Sequence, residues 1–505
     1  ASFTASASGS NVRYKWNFGD GTAETDWSTS PSASHTYTNP GLFTVTVTVT
    51  DDSGLEQRVS LLQAIHLPLL TGTPAASGPI AFETRSGASP RLWVVNPDND
   101  SVSVFDALSG TRLAEIGVGT APRTLALTGN GTAWVTNKGD ASISVIDTAT
   151  LTVSRSFSLP RGSQPHGIVA SGGSAYVVLE AGASLQRFST STYAPTGSLA
   201  IGPNARHVSI TADGATALVS RFISAPVTGE STAAPGAGSG EVLQVNASAM
   251  TLVRSIPLAQ STKPDAENQG RGLPNYLGAA AISPDGVAAW VPFKLDNIRR
   301  GMLRDGLPLN FQNTVRAVSS RLTLATGTED LAGRIDHDNA SLASAAVFDA
   351  KGLFLFVALE TSREVAVIDA HGRRELFRID TGLAPQGLAL SADGLTLYVS
   401  NFMDRNVGVY DLRPLVQQGL LSAPTVATMA AVGTEKLSGT VLRGKQLFYD
   451  ARDPRLARDR YMSCASCHND AGHDGRVWDL TGFGEGLRNT IALRGRGGMG
   501  HGFLH

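Results

Sequence analysis

Residues 460–470 read RYMSCASCHND, and Cys464 and Cys467 are the only cysteines among 505 residues. Three positions apart on one helical turn, two thiols can reach one edge of a flat ligand. His468 lies four positions after Cys464, where its imidazole can swing over that ligand's centre. This is the geometry for two thioether bonds to haem and one axial bond to iron, and CxxCH is the c-type attachment motif. Two other chemistries use the same residue types. A redox CxxC needs a thioredoxin-like βαβ setting, which is absent. A zinc centre needs a fourth ligand; His473, His501 and His505 could supply one, but no second CxxC accompanies them. Haem is the reading the motif favours, and c-type attachment takes place outside the cytoplasm.

Other residues have spacings that invite a chemical reading. Arg123, His166, Arg206 and Gln386 recur at similar places in several repeats. They could ring a channel mouth and bind an anion or a partner, or simply hydrogen-bond their loops. Asp336, His337 and Asp338 in RIDHDNAS could form a metal or catalytic cluster, or a solvated turn. Asp20 could suggest calcium, or stabilise its own turn. No G-x-S-x-G or H-E-x-x-H run nominates a hydrolase or a zinc protease.

The elements that must position these residues are mostly strands. LWVVNPDNDSVSVFDALSG at 92–110 recurs as AWVTNKGDASISVIDTATL, LFVALETSREVAVIDAHGR and LYVSNFMDRNVGVYDLRPL. Equivalent apolar positions are Trp93, Trp134, Tyr176, Leu218, Trp290, Phe356 and Tyr398, spaced by 41, 42, 42, 72, 66 and 42. A period near 40 with several short strands per unit predicts propeller blades, here seven. The two long spacings hold insertions, at 224–240 and at 294–315. Upstream, RYKWNFGDG puts Tyr14, Trp16 and Phe18 on one face, and LFTVTVTVTD alternates over Phe43, Val45, Val47 and Val49. Downstream, EKLSGTVLRGKQLFYDARD has helical periodicity, with Leu437, Val441 and Phe448 near one face and Ser438 as cap.

Composition agrees. Charged residues make up 17% of the chain, against a usual ~25%, and 54 glycines favour turn-rich β structure. A net charge of −2 gives no basic field for nucleic acid or acidic lipid. No run of 18 apolar residues suggests a transmembrane helix. The expected fold is mainly β: a small β domain at 1–66, a seven-bladed β-propeller at 67–413, a linker at 414–436 and a small helical segment at 437–505; the resemblances below imply an immunoglobulin-like sandwich for the first and a cytochrome for the last.

Three resemblances refine this. Residues 1–66 resemble a PKD domain through W-x-F-G-D-G at Trp16–Gly21 and H-x-Y-x-x-P-G from His35 to Gly41. PKD domains act as spacers or adhesive modules outside the cytoplasm and usually have one more strand before FTASASG, so the start reads as trimmed. The repeats resemble the YVTN type of surface and periplasmic propellers and the lactonase-like group, which implies a partner or substrate site on the propeller. Residues 443–505 resemble the first haem half of bacterial di-haem cytochrome c peroxidases, through Gly444, Lys445, Leu447, Phe448, Asp450 and Arg452 before CxxCH, and Gly486, Arg488, Asn489 and Leu493 after it.

In those peroxidases one haem stores an electron and a second completes peroxide reduction. That implies haem c on Cys464 and Cys467, with His468 as proximal iron ligand. The family's second CxxCH does not appear here, which implies a native chain running past His505. The family often reads G-H-G, with a distal histidine, where this chain has Gly482-Phe483-Gly484. The remaining distal candidates are His473, Met499, His501 and His505, and an open sixth position is expected. Asp474, Arg476 and Glu485 join His473 as candidates to move protons there. The expectation is an exported bacterial protein, periplasmic or at the cell surface, performing peroxide reduction or electron transfer. Its partner would be a redox protein or small electron donor. A surface recognition protein with accessory haem is the alternative.

Overall fold

The computed structural model describes residues 1–225 and 240–494. In the first domain, strands Arg13–Asn17, Gly41–Thr50 and Glu56–Ile65 form one antiparallel sheet, and Ser2–Thr4 pairs with Ser32–Ser34. Alternation puts Tyr14, Trp16, Phe18, Val45 and Val47 into a core with Phe3. The turn after Phe18 needs Gly19: its φ is +77°, and a Cβ there would clash with the Thr44 carbonyl oxygen. Asp20 accepts from the Thr22 amide and hydroxyl and from His35 Nε2, so it stabilises its own turn. His35 stacks on Phe18, and the Tyr37 hydroxyl donates to the Phe18 carbonyl at 3.0 Å, which is how H-x-Y closes the sandwich.

The repeats form seven antiparallel sheets. Their innermost strands are Ile80–Glu83, Pro122–Leu127, Pro165–Ser171, Ala205–Ile210, Ala281–Ile282, Ala343–Phe348 and Pro385–Leu390. Each touches the next and the last touches the first, so the ring closes as a seven-bladed propeller. Trp93, Trp134, Tyr176, Leu218, Trp290, Phe356 and Tyr398 all lie on the second strand of a blade and are buried. Burying one such side chain stabilises the fold by roughly 1.5–3 kcal/mol, which explains why a bulky residue recurs there. In the first two blades the Asp ending the third strand closes a turn: Asp106 accepts from the Leu108 and Ser109 amides, and Asp147 from those of Ala149 and Thr150.

One segment differs from the sequence expectation. Residues 414–436, which the repeat spacing leaves as a linker, contain the outer strand of blade seven, Thr425–Ala430. Only Met429 in that strand is buried, so it carries no apolar alternation to betray it. A helix, Arg413–Gln418, separates it from its partner strand and buries Leu415. Residues 69–79 lead into the ring. Ala75–Ala76 pairs with the inner strand of blade four, and the Leu125 and Val95 amides donate to the Gly78 and Pro79 carbonyls, so the segment crosses one end of the channel. The first domain packs on the ring through Leu42 and Ala64 against the cluster of Leu353, Leu412 and Leu415. Among the described residues no helix is long and apolar enough to cross a membrane.

Candidate functional site

The C-terminal segment lies over the other end of the channel. Ser438 caps its first helix, Gly439–Tyr449, by accepting from the Val441 amide. The buried anchor of that helix is Tyr449, edge-on to Phe402; of the apolar face read from sequence Phe448 packs beside it, while Val441 faces solvent. Lys445 pairs with Asp98 at 2.6 Å. Asp450 takes the Arg363 guanidinium, and Arg452 reaches Glu364 at 2.8 Å. The charged residues of the K-x-L-F-x-D-x-R stretch therefore hold the segment to the propeller.

Cys464 precedes the single turn Ala465–His468, and the His468 amide donates to the Cys464 carbonyl at 2.9 Å. The turn is pinned from below. Lys294 Nζ donates to the Ser466 carbonyl at 2.7 Å, the Tyr276 hydroxyl to that of Cys467 at 2.6 Å, and the Ser466 hydroxyl bonds Ser341 at 2.8 Å. Cys464 is exposed, whereas Cys467 packs with Met462, Trp478 and Leu480. Burial pushes both thiols up. His468 Nδ1 lies 2.9 Å from the Ile491 carbonyl and 3.2 Å from that of Gly472. With Nδ1–H donating to these carbonyls, Nε2 keeps its lone pair.

Past His468 the chain dips into the channel mouth. Asp470, at φ +56°, places its carboxylate 3.1 Å from Arg123 and 3.6 Å from Arg206. Arg206 also binds Glu180 at 2.7 Å, and Lys138 binds Glu180 at 2.6 Å. Asn469 and Gln386 both donate to Glu360, at 3.0 and 3.1 Å. Burial, with the Asp470 charge beside it, pushes Glu360 up to about 7. His166 lies among these groups with its ring 5.0 Å from that of His207. Burial and the Arg206 charge hold His166 well below the usual histidine range. Thus Arg123, His166, Arg206 and Gln386 do converge on one mouth, and the anion that the two arginines grip is Asp470 of the same chain.

Lys138, Glu180, Lys294 and Glu360 were not among the sequence candidates, yet a signal for them exists. Each stands four residues after its blade's equivalent position (Trp134, Tyr176, Trp290, Phe356), where the second strand ends at the mouth. Lys294 opens a second buried cluster: it pairs with Asp296 at 2.9 Å and Asp474 at 3.5 Å, and Arg476 with Asp296 at 3.3 Å. Asp474 and Arg476, candidates for proton movement, are thereby committed to ion pairs. Burial pushes the Asp474 carboxyl up, but Lys294 and hydrogen bonds from Thr490, Arg476 and Trp478 hold it below its ordinary value. The blade-five insertion joins in, with the Leu303 and Arg304 amides donating to Asp479 at 2.8 and 3.0 Å.

The other candidates separate. His473 is exposed, Glu485 is an exposed partner of Arg488, and Phe483 projects into solvent. Met499, His501 and His505 lie outside the described residues. Asp336 and Asp338 both bind Arg316, and the buried His337 sits between Ser319 and Glu375, so RIDHDNAS is an internal ion-paired strand end and neither a solvated turn nor a metal cluster.

No curated protein matches this chain. Its fold is similar to that of hydrazine synthase from Kuenenia stuttgartiensis, with TM-score 0.54 and 18% identity, over 66% of this chain and 95% of that one. At this identity the likeness speaks for the fold alone. Residues 1–63 match the PKD domain family, and the N-terminal sandwich is therefore a PKD domain.

Proposed function

We propose that this is an exported redox protein in which Cys464 and Cys467 hold one haem c through thioether bonds and His468 is an axial ligand to its iron. The observation that carries the reading is the posture of His468: its Nδ1 is taken by the Ile491 and Gly472 carbonyls, which orients the ring and leaves Nε2 for a metal. The surroundings fit a flat apolar group. Met462, Trp478 and Leu480 pack beside Cys467, and Ile491 and Leu493 are large apolar side chains left exposed near His468. Bound there, haem supplies one-electron chemistry. The chain's own groups fix the turn: Tyr276, Lys294 and Ser341 lock its carbonyls and Ser466, so the propeller acts as a rigid base and as the surface for a redox partner. Peroxide reduction and electron transfer differ in the sixth position, for which Met499, His501, His505 and His473 compete with an open site.

Acid–acetone extraction of denatured protein tests the attachment. Haem should stay on the polypeptide, and Cys464→Ala with Cys467→Ala should release it. Haem that extracts freely from the unaltered chain, or stoichiometric zinc in place of iron, would overturn the reading. A high-spin ferric spectrum with ready carbon monoxide binding after reduction supports peroxide chemistry. A low-spin spectrum converted to high-spin by Met499→Ala, His501→Ala or His505→Ala supports electron transfer. The PKD match favours a second reading, surface recognition with accessory haem. Partner binding that survives haem loss, with no peroxide turnover from a reduced donor, would select it.

A further inference from the structure

A chamber of about 670 Å³ lies inside the ring, between Asn469 and Asp470 at one end and residues 69–79 at the other. Gly72, Thr73 and Ala76 on the crossing segment are exposed, so the chamber is reached from that side. Its walls there are small or apolar, among them Ile80, Ile282, Ala345, Val347 and Leu388. The far end carries Arg123, His166, Arg206, Glu360 and Gln386. A cavity of this size, apolar with a few polar groups at one end, is the usual form of a small-molecule site.

Charge at the polar end does not close. Arg123, Lys138 and Arg206 bring three cations, and Glu180 and Asp470 bring two carboxylates. Glu360 is the remaining acid, and burial with Asp470 beside it keeps much of its population protonated near neutrality. His166 and His207 add nothing, since burial and Arg206 hold both rings uncharged. The adjacent cluster is balanced, Lys294 and Arg476 against Asp296 and Asp474. A partly buried cation that is short of counter-charge favours an anion entering beside it. Arg123 lines the chamber with its side chain only part-buried, and its Nη1 lies on Asp470.

We propose that the chamber binds a small organic monocarboxylate, its carboxylate on Arg123 at the polar end and its apolar body against the Ile282, Ala345 and Leu388 walls. Guanidinium groups suit carboxylates because their donors match both oxygens. This goes beyond the haem reading and does not rest on it.

Calorimetric titration of the full chain with octanoate, octanamide and acetate tests it. Octanoate should bind at one site. Octanamide, the same body without charge, should bind at least tenfold more weakly, and acetate, the same charge without body, more weakly still. Arg123→Gln should lower octanoate affinity at least tenfold and leave octanamide unchanged. Arg123 also grips Asp470, so a second variant acts from the opposite end: Ala345→Phe fills the apolar wall and should weaken both eight-carbon probes. Equal binding of octanoate and octanamide, no binding of either, or an octanoate affinity untouched by Ala345→Phe would each overturn the proposal.

Discussion

Lys138 and Lys294 occupy the same place in blades two and five, each four residues after the buried tryptophan of its repeat. Both bring an ammonium to the mouth under the C-terminal segment, with side chains 7% and 0% exposed. Their surroundings differ. Lys294 meets two carboxylates and one guanidinium; burial opposes its charge, but Asp296 and Asp474 outweigh burial and raise its pKa. Lys138 meets one carboxylate beside two guanidinium groups; burial, then Arg206, lowers its pKa to about 8. One repeat position thus serves two ends. The balanced cluster clamps the C-terminal segment to the propeller, and the unbalanced one leaves positive charge facing a chamber. Basicity here is set by how many carboxylates the docked segment and neighbouring blades supply, and not by the lysine.

The largest break in this comparison is Lys294→Met. It leaves Asp296 and Asp474 buried with Arg476 as their cation and removes the donor to the Ser466 carbonyl. Removing one partner from a buried pair costs about 3–5 kcal/mol. The melting temperature should fall sharply, and trypsin should cut at Arg452–Arg460 far faster than in the unaltered chain, because the clamp on the CxxCH turn is gone. A melting temperature within a degree or so of the parent would show that the cluster clamps nothing.

A break of opposite sign is Glu360→Gln. The folded pKa of about 7 lies above the ordinary 4.5, so between these values the folded chain holds a proton that the unfolded chain has lost. Stability therefore falls as pH rises from the lower value to the upper, and the full cost, about 3 kcal/mol, is carried above pH 7. The groups facing this carboxyl are Asp470, Asn469, Gln386 and Ser344. A glutamine oxygen still accepts from Asn469 and Gln386. Glu360→Gln should melt higher than the parent at pH 8, and the gap should close near pH 4.5. An equal gap at both pH values would mean that Glu360 does not titrate in this range.

The sequence shows the scaffold of this comparison more readily than its pairing. The seven bulky positions and the PKD motifs are legible because each reports burial within its own hairpin, over a handful of residues. The offset of four that places Lys138, Glu180, Lys294 and Glu360 at one mouth is legible too, once the repeats are aligned. Which charge meets which is not: Arg123 finds Asp470 from 347 residues away, and nothing local to either residue encodes that distance. Thr425–Ala430 was hidden for another reason, since an outer strand exposed along most of its length has no period to detect. Asp474 and Arg476 looked available for proton movement because sequence shows their charge and not the Lys294 and Asp296 that consume it.

The smallest expected effect is the most telling one, Lys138→Met. It removes the same ammonium as Lys294→Met, at the equivalent position, from the cluster with cations to spare. Glu180 keeps Arg206 through contacts of 2.7 and 3.2 Å, and Asp470 keeps Arg123, so two cations still face two carboxylates. Methionine fills much of the space of the lysine stem and adds no unpaired polar atom. The lost Lys138–Glu180 contact then costs about 1 kcal/mol, the net worth of an ordinary hydrogen bond, offset in part by relief of the repulsion from Arg206. The melting temperature should shift by far less than in Lys294→Met. Octanoate, in contrast, should bind several-fold more weakly, because the unmatched charge that draws a carboxylate into the chamber has been removed. A Lys138→Met chain as unstable as Lys294→Met would show that the two clusters are the same kind of clamp. A chain that stays stable and binds octanoate as before would show that Lys138 contributes nothing to the charge at the chamber's end.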